Sequence, residues 1–243
     1  MMDTIRYIYR YLRNSILRIL AILNGKELKT SDKILIISPH PDDEILGCGG
    51  LIIQMIQQGK EVFIVFMTKG ENCKSKIDSK ILIAERRKLT NIALNIVGLS
   101  MDHVYFLDFI DGKINFGDPE MEKLKALIDE IAPQTVFVPH HFEGWNDHVQ
   151  SNQIIKILIK DKPIKLFEYC VWFWYTMPFS KVFDLEWKNA RILKMDKKVN
   201  QTKIKAINLY MDGKDPEGLP YSGVLPSILI TSCGWREEIY FEN

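Results

Sequence analysis

The sequence predicts an α/β fold: a Rossmann-like, mostly parallel sheet with helices on both faces. Short apolar runs, bounded by polar residues, glycine or proline, recur along the chain and are typical of strands buried on both faces. Segments with apolar residues at helical spacing follow most of these runs. This alternation indicates right-handed βαβ units, which build a parallel sheet covered by helices on both sides.

The first half of the domain supplies three predicted strands with helices between them. The predicted strands lie at residues 34–37, 61–67 and 103–107. The predicted helices lie at residues 45–58 and 80–97. Glycine directly follows each of these helices, at Gly59 and Gly98, where a residue free to adopt positive φ commonly ends a helix. Strand and helix therefore alternate regularly up to residue 107.

The second half continues the alternation and then departs from it. The predicted strands lie at residues 135–138, 166–175 and 190–195. The predicted helices lie at residues 121–131, 147–158 and 197–211. The run at 166–175 (LFEYCVWFWY) is aromatic and strongly β-prone, which favours one long strand. Glycine and proline punctuate residues 212–243, to which we assign no element.

Length and composition are those of one ordinary globular domain. The chain has 243 residues, of which 47% are hydrophobic and 26% are charged. Its formal net charge of +1 gives no electrostatic case for a nucleic acid partner. The four cysteines form no C-x-x-C pair, which excludes a zinc ribbon and fits a reducing compartment such as the cytoplasm. We expect residues 31–243 to form a single domain, preceded by an N-terminal amphipathic helix within residues 1–30.

That N-terminal helix carries an apolar stripe over residues 5–23, with four arginines off the stripe. Residues 1–30 contain six basic and two acidic residues, a local charge balance of +4. The arginines interrupt the segment too often for a transmembrane span. Two interpretations stay open. The helix packs on the domain or self-associates with a partner subunit, or it makes peripheral contact with the anionic inner face of a membrane.

Side chains with metal-binding chemistry follow two of the predicted strands. His40 and Asp43 follow the first strand, and His148 lies at the start of the helix after the fourth. Because parallel strands end at one edge of a sheet, we expect these three side chains to meet there. Two imidazoles and one carboxylate are the ligand set of a hydrolytic zinc site. Asp42 is then free to act as the general base, and Asp147 is available as a carboxylate that orients a nearby donor.

Two other interpretations use the same residues. Acidic residues at a helix N-terminus, such as Asp42 and Asp43, often satisfy free N–H groups and the helix dipole. Two histidines and one carboxylate also hold Fe(II) in oxygenases. The parallel α/β pattern and the free Asp42 favour zinc, and the metal content of protein purified without added metal separates the two ions.

The string His40-Pro41-Asp42-Asp43-Glu44, followed by Gly47-x-Gly49-Gly50, closely resembles the signature of the PIG-L/LmbE-like zinc deacetylases. Members of that family remove an N-acetyl group from N-acetylglucosamine-type sugars. Weaker matches extend the resemblance over most of the chain, at Thr68-x-Gly70-Glu71, Arg86, Asp111-Gly112, Asp147-His148 and Glu168-Tyr169. The resemblance implies a zinc-dependent deacetylase of the same fold.

Carried over to this chain, the resemblance implies a role for each matching residue. His40, Asp43 and His148 would bind zinc, and Asp42 would be the general base. Arg86 and Asp111 would contact the substrate, an amino-sugar conjugate linked to a lipid or a nucleotide. The neighbouring Arg87 is an alternative to Arg86 for that contact.

The second metal motif departs from the family pattern His-Pro-Asp-His, because Trp145 stands where the family has its first histidine. That histidine stabilises the oxyanion or protonates the leaving amine. Three consequences stay open: His140 or His141 reaches into the site, the metal alone acts as electrophile, or the chain is a weak or inactive member that binds metal or sugar. We expect Trp145 to shape the mouth of the pocket. A second departure is Leu89, where the family often has an acid.

Overall fold

The strands form one mixed sheet in the computed structural model, which describes residues 2–73 and 77–243. In chain order the strands are β1 (Lys26–Glu27), β2 (Lys33–Ser38), β3 (Glu61–Phe66), β4 (Val104–Phe106), β5 (Thr135–Pro139), β6 (Lys165–Tyr169), β7 (Ala190–Lys194) and β8 (Glu237–Glu242). Their order across the sheet is β1-β7-β8-β6-β5-β2-β3-β4. Neighbouring strands are parallel except at β8, which is antiparallel to both β6 and β7. The predicted α/β fold with a mostly parallel sheet is confirmed.

Helices cover both faces of this sheet, as predicted. They are α1 (Met2–Asn24), α2 (Asp43–Gln57), α3 (Ser79–Val97), α4 (Glu120–Ile131), α5 (Asn146–Ile159), α6 (Phe173–Thr176), α7 (Lys197–Asp212) and α8 (Ser227–Cys233). Apolar side chains of α2, α3 and α7 belong to the core on one face. Those of α4 and α5 belong to the core on the other face.

Strand β2 shows why the apolar runs lack polar residues. Ile34 and Ile36 point into the core on the α2 face, whereas Leu35 and Ile37 point into the core on the α4 face. All four side chains are fully buried. Because successive side chains of a strand point to opposite faces, a strand covered on both sides needs an apolar residue at every position.

The prediction of one long strand over residues 166–175 is wrong. Strand β6 ends at Tyr169, and the aromatic residues that follow form the short helix α6. The backbone N–H of Val171 donates to Glu143 Oε1 at 2.8 Å, so a side chain takes up this donor and the chain leaves the sheet. Phe173 and Trp174 then pack their rings into the core.

The C-terminal tail contains elements that the sequence pattern does not predict. Strand β8 returns to the sheet and lies between β6 and β7, and α8 precedes it. The short strand β1, also not predicted, pairs with β7. These pairings join residues that are far apart in the chain, so no local periodicity marks them.

Helix α1 packs against the rest of the chain through one side. Leu17 and Ala21 belong to the core, and the Arg13 guanidinium donates to the backbone carbonyls of Trp174 and Met177. None of the helices in the described part of the chain is long and apolar enough to cross a membrane. The division into a helix at 1–30, whose first residue lies outside the described residues, and a domain at 31–243 stays a prediction.

Candidate metal centre

The structure brings the three predicted metal ligands together at the carboxyl edge of the sheet. His40 lies in the loop after β2, Asp43 is the first residue of α2, and His148 lies in the first turn of α5. Asp43 Oδ2 is 3.3 Å from His40 Nδ1 and 3.3 Å from His148 Nε2. One ligand atom from each residue lies within 4.8 Å of the other two. We call His40, Asp43 and His148 the ligand group.

Carboxylates on the far side of each ring orient the two imidazoles. His40 Nε2 lies 3.1 Å from Asp147 Oδ2 and 3.1 Å from Asp111 Oδ1, so two carboxylates hold a proton on this nitrogen and Nδ1 faces the ligand group. His148 Nδ1 lies 3.4 Å from Glu143 Oε2, which leaves Nε2 for the ligand group. Metal-binding histidines commonly have such a carboxylate on their second nitrogen.

An orphaned polar atom in this buried cluster fits a bound cation. Nε2 of His148, the nitrogen that faces Asp43, is buried without a hydrogen-bond partner among the described residues. Burial alone would lower the pKa of His148, but Asp43 and Glu143 raise it to about 9. Burial acts to raise the pKa of Asp43, yet the two imidazoles hold it well below its usual range. The carboxylates therefore favour positive charge here, which a divalent cation supplies when it replaces ring protons.

Hydrogen bonds to successive carbonyls hold the loop between β2 and α2. The Thr68 hydroxyl donates to the carbonyl of Pro39 at 2.8 Å, and Arg86 Nη2 donates to that of Pro41 at 2.8 Å. Directly after Pro41, the backbone of Asp42 adopts φ 136°, a region that residues other than glycine rarely enter. Strained backbone of this kind is often found where a site must hold a side chain in one orientation.

Glu44 stabilises this strained turn, a role that sequence reasoning missed. Glu44 Oε2 accepts the backbone N–H of Asp42 at 2.9 Å, and Glu44 Oε1 accepts the hydroxyl of Tyr210 at 2.7 Å. The glycine at position 47 of the motif also has a structural reason. A Cβ there would lie 2.3 Å from the ring of Tyr169, so only glycine lets α2 approach β6 this closely. The motif thus combines ligands with the residues that shape their loop.

Of the two candidate arginines, the structure places Arg86 at the site. Arg86 is buried and lines the cleft, whereas Arg87 is exposed and lies over the ring of Phe106. The Arg86 guanidinium fits against Gly70, where a Cβ would lie 2.4 Å from its carbon, and it also donates to the carbonyl of Tyr221. Its described contacts therefore hold two loops of the cleft wall, and its contact with substrate stays a prediction.

Asp111 and Leu89, the two other positions singled out in the sequence, both contact residues within the protein. Asp111 contacts His40 through Oδ1, and its Oδ2 accepts the backbone N–H of Asn72 at 2.9 Å. Leu89, where the family often has an acid, is buried in the core on the α2 face. Asp111 lines the cleft, so a substrate contact by this residue stays a prediction as well.

Two members of the ligand group, His40 and Asp43, line a cleft of 360 Å³ together with Asp42, whereas His148 is fully buried. This volume is typical of ligand pockets. Trp145 is 46% exposed at the mouth of this cleft. Its ring stacks on that of Trp172, with centroids 5.1 Å apart and an interplanar angle of 13°. The residue in place of the family histidine therefore forms half of an aromatic wall.

His140 and His141 are not among the described residues that line this cleft. They line a separate cavity together with Glu168, which lies 2.6 Å from His141 Nδ1 and 3.6 Å from His140 Nε2. His140 Nδ1 accepts the backbone N–H of Phe142, so its proton is on Nε2 and that nitrogen has no lone pair for a metal. Burial also lowers the pKa of His140 to about 3. This second His-His-Glu cluster is consequently a poor metal site.

Residues 35–159, slightly more than half of the chain, match the PIG-L family, which is described as GlcNAc-PI de-N-acetylase. The matched segment contains the ligand group, Asp42 and Arg86. Diacetylchitobiose deacetylase from Thermococcus kodakarensis is 27% identical over 121 residues, which cover 48% of this chain and 45% of that protein. The chain spans about half the length of this relative and of a second curated one.

Solved structures show the same fold in proteins named for different reactions. N,N′-diacetylchitobiose deacetylase from Pyrococcus horikoshii has a TM-score of 0.62 at 21% identity, over 76% of this chain and 72% of that one. GalB, the 4-carboxy-2-hydroxymuconate hydratase from Pseudomonas putida KT2440, also has a TM-score of 0.62, at 17% identity over 86% and 95% of the two chains. Shared fold at such identities leaves the reaction to be argued from the site.

Proposed function

This chain belongs to the PIG-L family, and from that premise we propose that it is a zinc-dependent hydrolase that removes the N-acetyl group from an N-acetylglucosamine-type sugar conjugate. The resemblance seen in the sequence is thus confirmed at the level of the family. We propose three things beyond the family: that the metal is zinc, that this chain removes an N-acetyl group, and that its substrate is a sugar linked to a lipid or a nucleotide.

One observation carries the proposal: two imidazole nitrogens and one carboxylate oxygen converge beside a carboxylate that is not part of their group. His40, Asp43 and His148 offer a donor set typical of hydrolytic zinc. Asp42 lines the same cleft. When bound, zinc supplies a Lewis acid that polarises the amide carbonyl and makes an attacking water more acidic.

Asp42 is the residue that we assign to proton transfer. Burial and the neighbouring Asp43 raise the pKa of Asp42 well above its usual range, while Arg86, whose Nη2 lies 3.8 Å from Asp42 Oδ2, acts in the opposite direction. A raised pKa suits a carboxylate that takes a proton from water and later returns one. Water adds to the amide carbon, the C–N bond breaks, and the proton held by Asp42 passes to the leaving amine.

Trp145 and Trp172 offer an aromatic wall to the sugar. Stacked indoles at a cleft mouth can pack against the apolar face of a pyranose ring. Since His140 and His141 face the other cavity, proton return to the amine rests on Asp42 in this scheme. The tryptophan that replaces the family histidine would then contribute to binding and not to proton transfer.

A second candidate function is a metal- or sugar-binding member of the family without catalysis. The observation that favours it is Trp145, combined with the placement of His140 and His141 outside the cleft lining. Metal analysis of protein purified without added metal distinguishes the Fe(II) site from the zinc site.

We expect the zinc-loaded chain to release acetate and free amine in equal amounts from at least one N-acetylglucosamine conjugate. The panel contains glycolipids, nucleotide sugars, inositol-linked sugars and oligosaccharides. Acetate is measured by a coupled enzymatic assay and amine by fluorescamine. Chelation should abolish release, and added zinc should restore it, because the metal held by His40, Asp43 and His148 would supply the Lewis acidity that the amide carbonyl needs.

The matched control is the Asp42→Asn variant loaded with the same amount of zinc. No acetate from any conjugate, with zinc and sugar still bound, would establish the non-catalytic function instead. Release that is insensitive to chelation would contradict the zinc mechanism.

A further inference from the structure

Helix α1 exposes a row of apolar side chains on the side that faces away from the protein. Six aliphatic side chains at helical spacing, each between 43% and 75% exposed, form what we call the α1 stripe: Ile5, Ile8, Leu12, Ile16, Ile19 and Leu23. Arg13 and Asn14, by contrast, are buried and bind the backbone carbonyl of Trp174. Leu17 and Ala21 pack inward as well, so α1 is anchored on the domain while a continuous apolar face stays outward, which presents a surface suited to a partner.

The charges around the α1 stripe are positive. Residues 4–26 contain no acidic side chain. Near the amino end, the side chain of Arg6 is 67% exposed, and Arg10 lies at the edge of the helix over the ring of Tyr175. Asp3 Oδ1 lies 3.9 Å from Arg6 Nη1, so two cations and one anion leave this end of the stripe with a net positive charge.

A cavity of 620 Å³ adjoins the carboxyl end of the α1 stripe. Ile22, itself exposed next to Leu23, contributes to its lining. Four lysines and one acidic residue line the same cavity: Lys26, Lys29, Lys60 and Lys194, with Glu27. Lys60 pairs with Asp32 at 3.6 Å, whereas the other three are exposed and form no ion pair with any residue that the structure describes. The apolar surface is thus continuous with a basic one.

We infer that α1 docks this chain onto an anionic lipid surface, with the α1 stripe inserted among the lipids and the lysine-lined cavity against their headgroups. Apolar side chains on a helix that lies flat in the interface, with cations beside them, are typical of such binding. A second copy of the chain fits less well as occupant. Both ends of α1 carry more basic than acidic side chains, so stripe-to-stripe pairing in either direction would place net positive charge against net positive charge.

Vesicle co-sedimentation tests this inference without reference to catalysis. The whole chain should bind vesicles that contain phosphatidylglycerol at least tenfold more tightly than vesicles of phosphatidylcholine alone, since each lysine near an anionic surface contributes about fivefold. Added salt should weaken that preference by screening. The variant Lys26→Gln/Lys29→Gln/Lys194→Gln should lose about a hundredfold of the affinity for anionic vesicles, because it removes three of these lysines.

The apolar contribution has a matched control. The variant Ile8→Ser/Leu12→Ser/Ile19→Ser should bind anionic vesicles at least tenfold more weakly, because it removes apolar area that the lipid would cover. The variant Ile81→Ser/Ile157→Ser changes side chains on other helices that are 56% and 58% exposed, close to the 58% of Leu12, and should bind like the unaltered chain.

Three outcomes would overturn the inference. One is no binding to anionic vesicles at low salt, and another is equal binding to both vesicle types. The third is a dimer in sedimentation velocity that the stripe substitutions dissociate while vesicle binding is absent, which would assign the α1 stripe to a second copy of this chain.

Discussion

Replacing Asp42 with asparagine is expected to lower turnover by about 10²–10⁴-fold while the bound metal stays in place. Asp42 lines the cleft but does not belong to the ligand group. An amide cannot take the proton of the attacking water, so general base catalysis is lost. Asparagine tolerates positive φ about as well as aspartate does, so the backbone at φ 136° gains no new strain. Turnover is measured as acetate release, and metal content by elemental analysis.

Asp161→Asn is the control for this variant, because it makes the same chemical change at an exposed position after α5. It should keep both metal and turnover. Loss of zinc from Asp42→Asn would contradict the assignment and would mean that the roles of Asp42 and Asp43 are exchanged.

His148→Ala is expected to remove most of the bound zinc and, with it, nearly all turnover. The imidazole is fully buried and offers one of the three protein ligands, so alanine leaves the metal with two protein ligands. Zinc is measured by elemental analysis after gel filtration, and circular dichroism reports whether the variant folds. Glu143→Gln should weaken zinc binding by about 10–100-fold, because Glu143 orients the His148 ring from the other side.

The matched control is His141→Ala, which removes an imidazole from the separate cavity. It should keep zinc and turnover. Full zinc occupancy in a folded His148→Ala variant would show that the ligand group is not the metal site. Should folding fail, Glu143→Gln still tests the assignment, because it leaves all three ligands in place.

Local pattern predicted most of the sheet because its strands are buried on both faces. The run at 34–37 has apolar residues at every position, which only a two-sided core requires, and β2 occupies it. The aromatic run at 166–175 misled the prediction because β-propensity does not register the Glu143 side chain that turns the backbone at Val171. Strand β8 was missed since its pairing partners lie far away in the chain.

The metal-competent residues were accessible from the sequence because they follow strands that end at one edge. The residues that surround them could not be identified from the sequence. Sequence spacing could not choose between Arg86 and Arg87, since the choice depends on which side of α3 faces the loop after β2. Glu143 gave no signal, because its position beside His148 depends on the fold of the loop between β5 and α5. Asp147 was expected to orient a donor, and the ring it contacts is that of His40.

X-ray data collected at the zinc absorption edge from crystals of the zinc-loaded chain would locate the metal. We predict one anomalous peak bonded to His40 Nδ1, Asp43 Oδ2 and His148 Nε2, at about 2.0–2.2 Å from each. A peak between His140, His141 and Glu168, or none at the ligand group in zinc-replete crystals, would contradict the proposal that this edge of the sheet holds a hydrolytic zinc site.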